Sequence, residues 1–192
     1  MTDLLTSAGV LTGLDIFPVK SVAGIRLDAA SIGPEGIVGD RAFALTGPDG
    51  APLRAKRHPR LRELRLTGTP GSPRIITPDG SAAADFLGVS PIALQMVEGG
   101  ARQVAAVHVV SLAQRAAPDA GDSSRANLVV DLDADEPAPD DFVAATLLVG
   151  EVELRLQQRP RHCAGLFASV VVPGTVRLGD PVLLTLPVRA PG

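Results

Sequence analysis

The chain has 192 residues, 45% of them hydrophobic, and a formal net charge of −3. That length gives one large domain or two intimately packed halves with a real core, and the charge offers no basic footprint for nucleic acid or a membrane surface. Sixteen arginines stand against two lysines, with no Trp, no Tyr and five Phe, so platforms for stacking single-stranded bases are missing. A single cysteine, Cys163, excludes an internal disulfide and any zinc or iron–sulfur centre built from cysteines alone.

Residues 1–10 lack the basic start of a secretory signal. Residues 104–113 are apolar, but at half the roughly 20 residues that a bilayer span needs. The expected setting is a reducing cytoplasm. Short β-type runs separated by Gly, Pro and Asp follow in chain order. Leu11–Val19 reads as a strand that ends about Pro18, Arg26–Ile32 as a second stopped by Gly33-Pro34, and Arg41–Thr46 as a third. Gly47-Pro48-Asp49-Gly50 is a hairpin turn, with Pro fixing φ and Asp-Gly supplying positive φ. Leu61–Thr67 and Arg74–Thr77 follow, the latter closed by Pro78-Asp79-Gly80. Turn signals at this spacing predict a barrel or sandwich.

Helical breaks are expected at Ser81–Leu87 and Ser111–Ala117, each opened by a capping serine, and a short helix at Phe142–Leu147. Val149–Gln157 and Val182–Leu186 return to strand. Residues 118–125 and 132–141 are polar, acidic loops. A soft boundary falls between residues 78 and 92, dividing the chain into 10–85 and 86–190. The fold class read from this pattern is mainly β (α+β), with a few short helices and two barrel-like halves.

Cys163 ends the run Glu151–Cys163, where an alternating strand pattern stops at Pro160 and the thiol follows Arg159, Arg161 and His162. Cationic neighbours favour the thiolate, the form that binds metals and attacks electrophiles; a buried, inert thiol is the alternative. Asp131, Asp133, Asp135, Glu136, Asp140 and Asp141 form an acidic cluster without the glycine turn and terminal Glu of a calcium loop, so a solvated loop is the expectation. His108 lies between apolar residues and reads as a core or edge histidine, and His58 as a surface one.

Several stretches, in order, resemble one family. Ile16–Gly24 (IFPVKSVAG) resembles the "PVKS…G" opening of MOSC proteins, the molybdenum-cofactor sulfurase C-terminal superfamily. Gly36–Phe43 (GIVGDRAF) resembles the family's "G-x-x-GDR-x-(F/W)" stretch, Lys56–Leu61 its "R/K-x-x-P-x-L" sequel, and Ser124–Asp131 its "R-x-N-(I/L)-V-V-D". Cys163 falls where that family places its metal-binding cysteine, and Gly179-Asp180-Pro181-Val182 matches the closing strand. The mitochondrial amidoxime reducing component and its bacterial relatives share the arrangement.

The resemblance implies an N-terminal MOSC β-barrel region over 10–85, a MOSC domain over 86–190, and a molybdenum cofactor, a pyranopterin dithiolene with a phosphate. It places Cys163 as catalytic residue and metal ligand, and Lys20, Ser21, Arg41, Ser111, Arg125 and Asn127 as cofactor-binding residues. Soft thiolate suits such a metal, the guanidinium fork suits phosphate, and Ser and Asn can both donate and accept. Each has a plainer reading. Lys20 can be a solvated strand-end lysine and Arg41 a turn ion pair with Asp40; Ser111 can cap a helix, and Arg125 and Asn127 can share an exposed strand face. The resemblance further implies an oxidoreductase acting on N-hydroxylated small molecules, with electrons from a separate reductase, ferredoxin or flavoprotein and the acidic 131–141 loop as a docking patch. A non-redox carrier of cofactor, or of sulfur as a Cys163 persulfide, is the alternative, and pyridoxal phosphate binding is a further property attached to the superfamily. In the amidoxime-reducing branch of the family the metal cysteine commonly lies in a "P-C-x-R-C"-like run, whereas here one cysteine follows a histidine, and the apolar stretch 165–173 replaces an expected polar turn.

Overall fold

Strands broken by turn residues account for most of the regular secondary structure. The structure, a computed structural model, describes residues 6–98, 100, 105–133 and 139–187. In chain order these form β1 (Thr6–Ile16), β2 (Ile25–Arg26), β3 (Ala29–Gly33), β4 (Gly36–Ile37), β5 (Phe43–Thr46), β6 (Arg65–Thr69), β7 (Ser72–Ile76), α1 (Ala83–Leu87) and β8 (Ala93–Met96). Then come β9 (Val107–Ser111), α2 (Leu112–Ala116), β10 (Leu128–Leu132), β11 (Thr146–Val149), β12 (Val152–Gln158), β13 (Leu166–Val172), β14 (Gly174–Arg177) and β15 (Pro181–Thr185). Short 3-10 turns lie at Pro59–Arg62 and Pro139–Phe142. The expected mainly β class with short helices is what forms. No helix among the described residues is long and apolar enough to cross a membrane.

The chain packs as two compact units, residues 1–15, 26–38 and 104–192 in the first and 16–25 and 39–103 in the second. They interleave, whereas the sequence pattern suggested one boundary between 78 and 92. The cause is non-local pairing: β1 joins strands more than 100 residues away, which local turn signals cannot report.

The first unit holds a closed seven-stranded barrel in the order β10-β9-β13-β12-β11-β15-β1, with β1 pairing back onto β10 and β2 flanking β1. Closure removes the open edges that invite aggregation. Its inward positions are Leu11, Leu14, Leu128, Leu147, Leu154, Leu156, Leu166 and Leu184, all fully buried. The alternation along β12 and β15 follows the two-residue period of a strand with one wet face. β9 and β10 are the parallel pair, Leu128 facing Val109 and Val130 facing Ser111. Parallel neighbours need a crossover, and α2 with the segment 117–127 supplies it. Phe142–Leu147, expected as a helix, is the end of a 3-10 turn followed by β11, which pairs with both β12 and β15. The apolar stretch 165–173 contains β13, seated between β12 and β9. A three-stranded sheet, β14-β3-β4, completes this unit.

The second unit gathers Val19, Val22, Leu45, Leu53, Leu61, Leu64 and Phe86 into one apolar cluster. Its described strands form two ribbons, β5–β8 and β6–β7, where the sequence suggested a second barrel-like half. The 47–50 turn forms as expected: Gly50 takes φ of 72°, and the Leu53 N–H returns to the Leu45 carbonyl at 2.7 Å. The β6 region differs from expectation at its start, because Pro59 initiates a 3-10 turn that carries Leu61 into the core.

Candidate functional site

In the first unit, β9 and β13 run antiparallel with Leu166 opposite Val109. That register sets the segment before β13, which carries Cys163, beside the end of β9 and the start of α2. Two close backbone approaches hold it. Gly121 makes an isolated antiparallel bridge with Cys163, and a Cβ there would lie 2.3 Å from the His162 carbonyl oxygen. Gly165 sits at φ of 94°, where a Cβ would meet the Val109 carbonyl oxygen at 2.3 Å and His108 Nε2 at 2.8 Å. The Ala164 N–H donates to the Ala120 carbonyl.

Cys163 is half-buried on the wall of a cleft of about 500 Å³, which Gln114, Asp119, Arg159, Arg161 and His162 also line. Burial, and then the Asp122 carboxylate, push the thiol above its ordinary pKa. The sequence reading expected the opposite, a thiolate favoured by adjacent cations. Sequence neighbours are not the deciding charges here. Partial withdrawal from water disfavours the anion first, and a carboxylate delivered by the 117–127 crossover acts in the same direction. Arg159 is engaged with Asp140 at 3.0 Å.

Ser111 is the N-cap of α2. Its hydroxyl accepts from the Gln114 N–H at 3.0 Å while Gln114 Oε1 accepts from the Ser111 N–H at 3.3 Å, a complete capping box. Asn127 is 0% exposed. Its side-chain oxygen accepts from the His108 N–H at 3.1 Å and its Nδ2 donates to the Asp15 carbonyl at 3.2 Å, so this amide braces β9 against β1. Strand β10 begins only at Leu128, and Ala126 and Asn127 are both buried, so Arg125 and Asn127 do not share an exposed strand face. Arg125 lies half-buried in the turn before them. His108 is the expected core histidine: its Nε2 lies 3.0 Å from the Ala164 carbonyl and its ring is tilted against Phe167.

In the second unit, Lys20, Ser21 and Arg41 form a basic cluster that Arg54 joins. Burial, then Arg54, then Arg41 hold the Lys20 amine below the ordinary lysine range. Ser21 Oγ accepts from the Ala55 N–H at 3.4 Å, the Lys20 N–H donates to Phe43 and the Arg41 N–H to Phe17. Arg41 pairs with Asp40 and lies 5.4 Å from the centre of the Phe17 ring, so the turn ion pair is present. Three described non-glycine residues have positive φ, and two of them are Ser21 at 66° and Arg41 at 52°. Such backbone costs of order 1–3 kcal/mol per residue and gathers at ligand clamps. His58, expected at the surface, is half-buried at the start of the 59–62 turn.

Of the acidic cluster, Asp131 and Asp133 are exposed and Asp140 pairs with Arg159; Asp135 and Glu136 lie outside the described residues. No three His, Cys, Asp or Glu side chains converge as a metal cage among the described residues. A metal at Cys163 would therefore have to arrive with other ligands, which is what a dithiolene cofactor brings. The cleft's size, its soft sulfur and its cationic flank fit such a group. The sequence reading missed Gln114, Asp122, Gly121 and Gly165. Only Gln114 had a local signal, the Ser111-x-x-Gln114 spacing of a capping box.

Comparison with known proteins agrees with this architecture. A 55-residue stretch is 40% identical to the molybdenum cofactor sulfurase of Danio rerio; it covers 29% of this chain and 7% of that protein. The fold is similar to the crystal structure of the YuaD protein from Bacillus subtilis, with a TM-score of 0.50, 14% identity, and 97% and 100% of the two chains covered. The description "MOSC N-terminal beta barrel domain" matches residues 8–131. With that match spanning most of the chain and a closed barrel present, this protein belongs to the MOSC N-terminal β-barrel domain family.

Proposed function

We propose that this chain binds the molybdenum cofactor with Cys163 as the protein's metal ligand and reduces N-hydroxylated compounds with electrons from a separate donor protein. The observation that carries this reading is the half-buried thiol on the wall of a polar cleft that Arg161 and His162 flank. Bound there, the cofactor supplies a redox centre able to take oxygen from a substrate N–O bond. The chain's own part is binding, orientation and charge. Cys163 gives up its proton to act as ligand, so loading releases a proton and is favoured at higher pH. Arg161 places positive charge, and His162 a polar ring, beside an anionic group. Ser111 and Asn127 contribute indirectly, by fixing α2 and by joining β9 to β1.

A second reading, a non-redox module that carries the cofactor or sulfur, draws on the partial match to a molybdenum cofactor sulfurase. Protein from a cofactor-competent host is expected to contain molybdenum by mass spectrometry and to reduce benzamidoxime with an artificial donor. Cys163→Ser is expected to fold normally and lose both, since a serine oxygen is a poorer soft-metal ligand. Full molybdenum with no turnover would select the carrier reading, and unchanged activity in Cys163→Ser would refute both.

A further inference from the structure

Positive charge in the second unit is concentrated on one stretch of chain. Residues 54–74 hold seven arginine and lysine side chains and one carboxylate, Glu63, in a chain whose net charge is −3. All seven cations are exposed. Arg60 is engaged, 3.7 Å from the centre of the Phe86 ring and 3.9 Å from Glu63. The ribbon β6–β7 fixes the placement of two others. Its register sets Arg65 opposite Ile76 and Thr67 opposite Arg74, so Arg65, Arg74 and Ile76 share one face. The other face carries Leu66 and Ile75, which pack on the apolar cluster of this unit. The outer face is wet: both arginines are exposed and Ile76 is 47% exposed. Arg65 and Arg74 are diagonal neighbours across the ribbon, within reach of each other's long side chains. The chain leaves their like charges uncompensated. No Asp or Glu lies between residues 64 and 78, and neither arginine makes an ion pair among the described residues.

An exposed apolar side chain flanked by cations has the make-up of a protein-docking face, with apolar contact inside and charge at the rim. A single strand of nucleic acid would need stacking rings, and the chain has no Trp or Tyr while all five Phe are buried or half-buried. We infer that the outer face of β6–β7 docks an acidic protein, the separate electron donor that the proposed function calls for. Encounters between redox proteins bury little surface and are steered by complementary charge, which raises the association rate and fades with salt. Two arginines without counter-charges beside one exposed isoleucine suit an encounter of that size. The acidic 131–141 stretch would call instead for a basic donor, and there Asp140 is already paired with Arg159. The donor role rests on the proposed function, whereas the docking face rests on charge and strand register alone.

The test uses the whole metal-free chain and dye-labelled flavodoxin, an acidic soluble electron carrier, with fluorescence anisotropy reading the affinity. Binding is expected at low ionic strength and should weaken as salt screens the charges. The double variant Arg65→Glu/Arg74→Glu is expected to weaken it about tenfold at low salt and to flatten the salt dependence, while Arg65→Lys/Arg74→Lys keeps most of it. Ile76→Ser is expected to weaken it about threefold with the salt dependence unchanged. Circular dichroism checks folding; if the double glutamate variant does not fold, Arg65→Gln/Arg74→Gln is read in its place. Absence of flavodoxin binding, or binding that the charge changes leave as it was, overturns the inference. Tighter binding of short single-stranded DNA or of phosphatidylglycerol vesicles through the same two arginines also overturns it, since the partner would then be of another class. Molybdenum content and benzamidoxime reduction with an artificial donor are measured on protein from a cofactor-competent host. Arginine-dependent binding without molybdenum leaves the docking face standing and sinks its donor role along with the cofactor reading. Molybdenum and turnover with charge-insensitive flavodoxin binding sink the docking face and leave the cofactor reading intact.

Discussion

The Cys163 thiol is set by its spatial neighbours rather than its sequence neighbours. Burial and the Asp122 carboxylate both disfavour the thiolate, so its alkylation in the metal-free protein should have a midpoint pH above that of an ordinary thiol. Asp122→Asn removes a nearby negative charge, which stabilises the thiolate. Its midpoint should fall and the rate at neutral pH should rise several-fold, read as the iodoacetamide rate against pH; a midpoint that stays or rises would contradict this assignment. Asn127 makes the parallel point for amides. Its place in the Arg125-x-Asn127 spacing resembles a ligand pattern, yet both ends of the side chain are occupied by backbone groups of His108 and Asp15. Nothing in the residue's own neighbourhood in sequence marks those partners.

At the scale of elements, α2 is a single turn and owes its persistence to its cap and its packing. A five-residue helix has no stability of its own, while the capping box satisfies two orphan groups. That cap was legible, because Ser and Gln three apart carry the signal locally. The segment 161–165 was not, since its path depends on Gly165 admitting the Val109 carbonyl of β9 and on Gly121 of the crossover admitting the His162 carbonyl. Gly165→Ala puts a methyl group where the Val109 carbonyl oxygen already lies, on a backbone that L-residues avoid. It should cost about 3 kcal/mol in urea unfolding and blunt molybdenum loading, and a loss below about 0.5 kcal/mol would show that the approach is not tight. β11 was misread for a related reason. Thr146–Val149 is short and its helix–strand character is ambiguous by period alone; its two neighbours, β12 and β15, decide it.

For the whole molecule, the closing contact is β1 with β10 on one side and β15 on the other. Leu14, 0% exposed and opposite Leu128, sits in that seam. Leu14→Ala should therefore cost about 3–4 kcal/mol, at the upper part of the range for buried leucines, because the closed barrel has little room to collapse around the void. Urea unfolding gives the value, and a cost under about 1 kcal/mol would mean that the seam is loosely packed. The same pairing makes the two units interleave, with the chain leaving the first unit after residue 15 and again after residue 38. A family match over residues 8–131 takes in parts of both.

By itself the sequence determined the mainly β class, the 47–50 and 78–80 turns, the Ser111 cap and the family, because period-two patterning, turn chemistry and short motifs are written in adjacent residues. Tertiary structure decided the closure of the barrel, the strand at 146–149, the burial of Asn127 and the surroundings that push the Cys163 thiol up. Each of these depends on groups far apart in the chain, whose meeting is fixed by packing and desolvation and not by the local order of side chains.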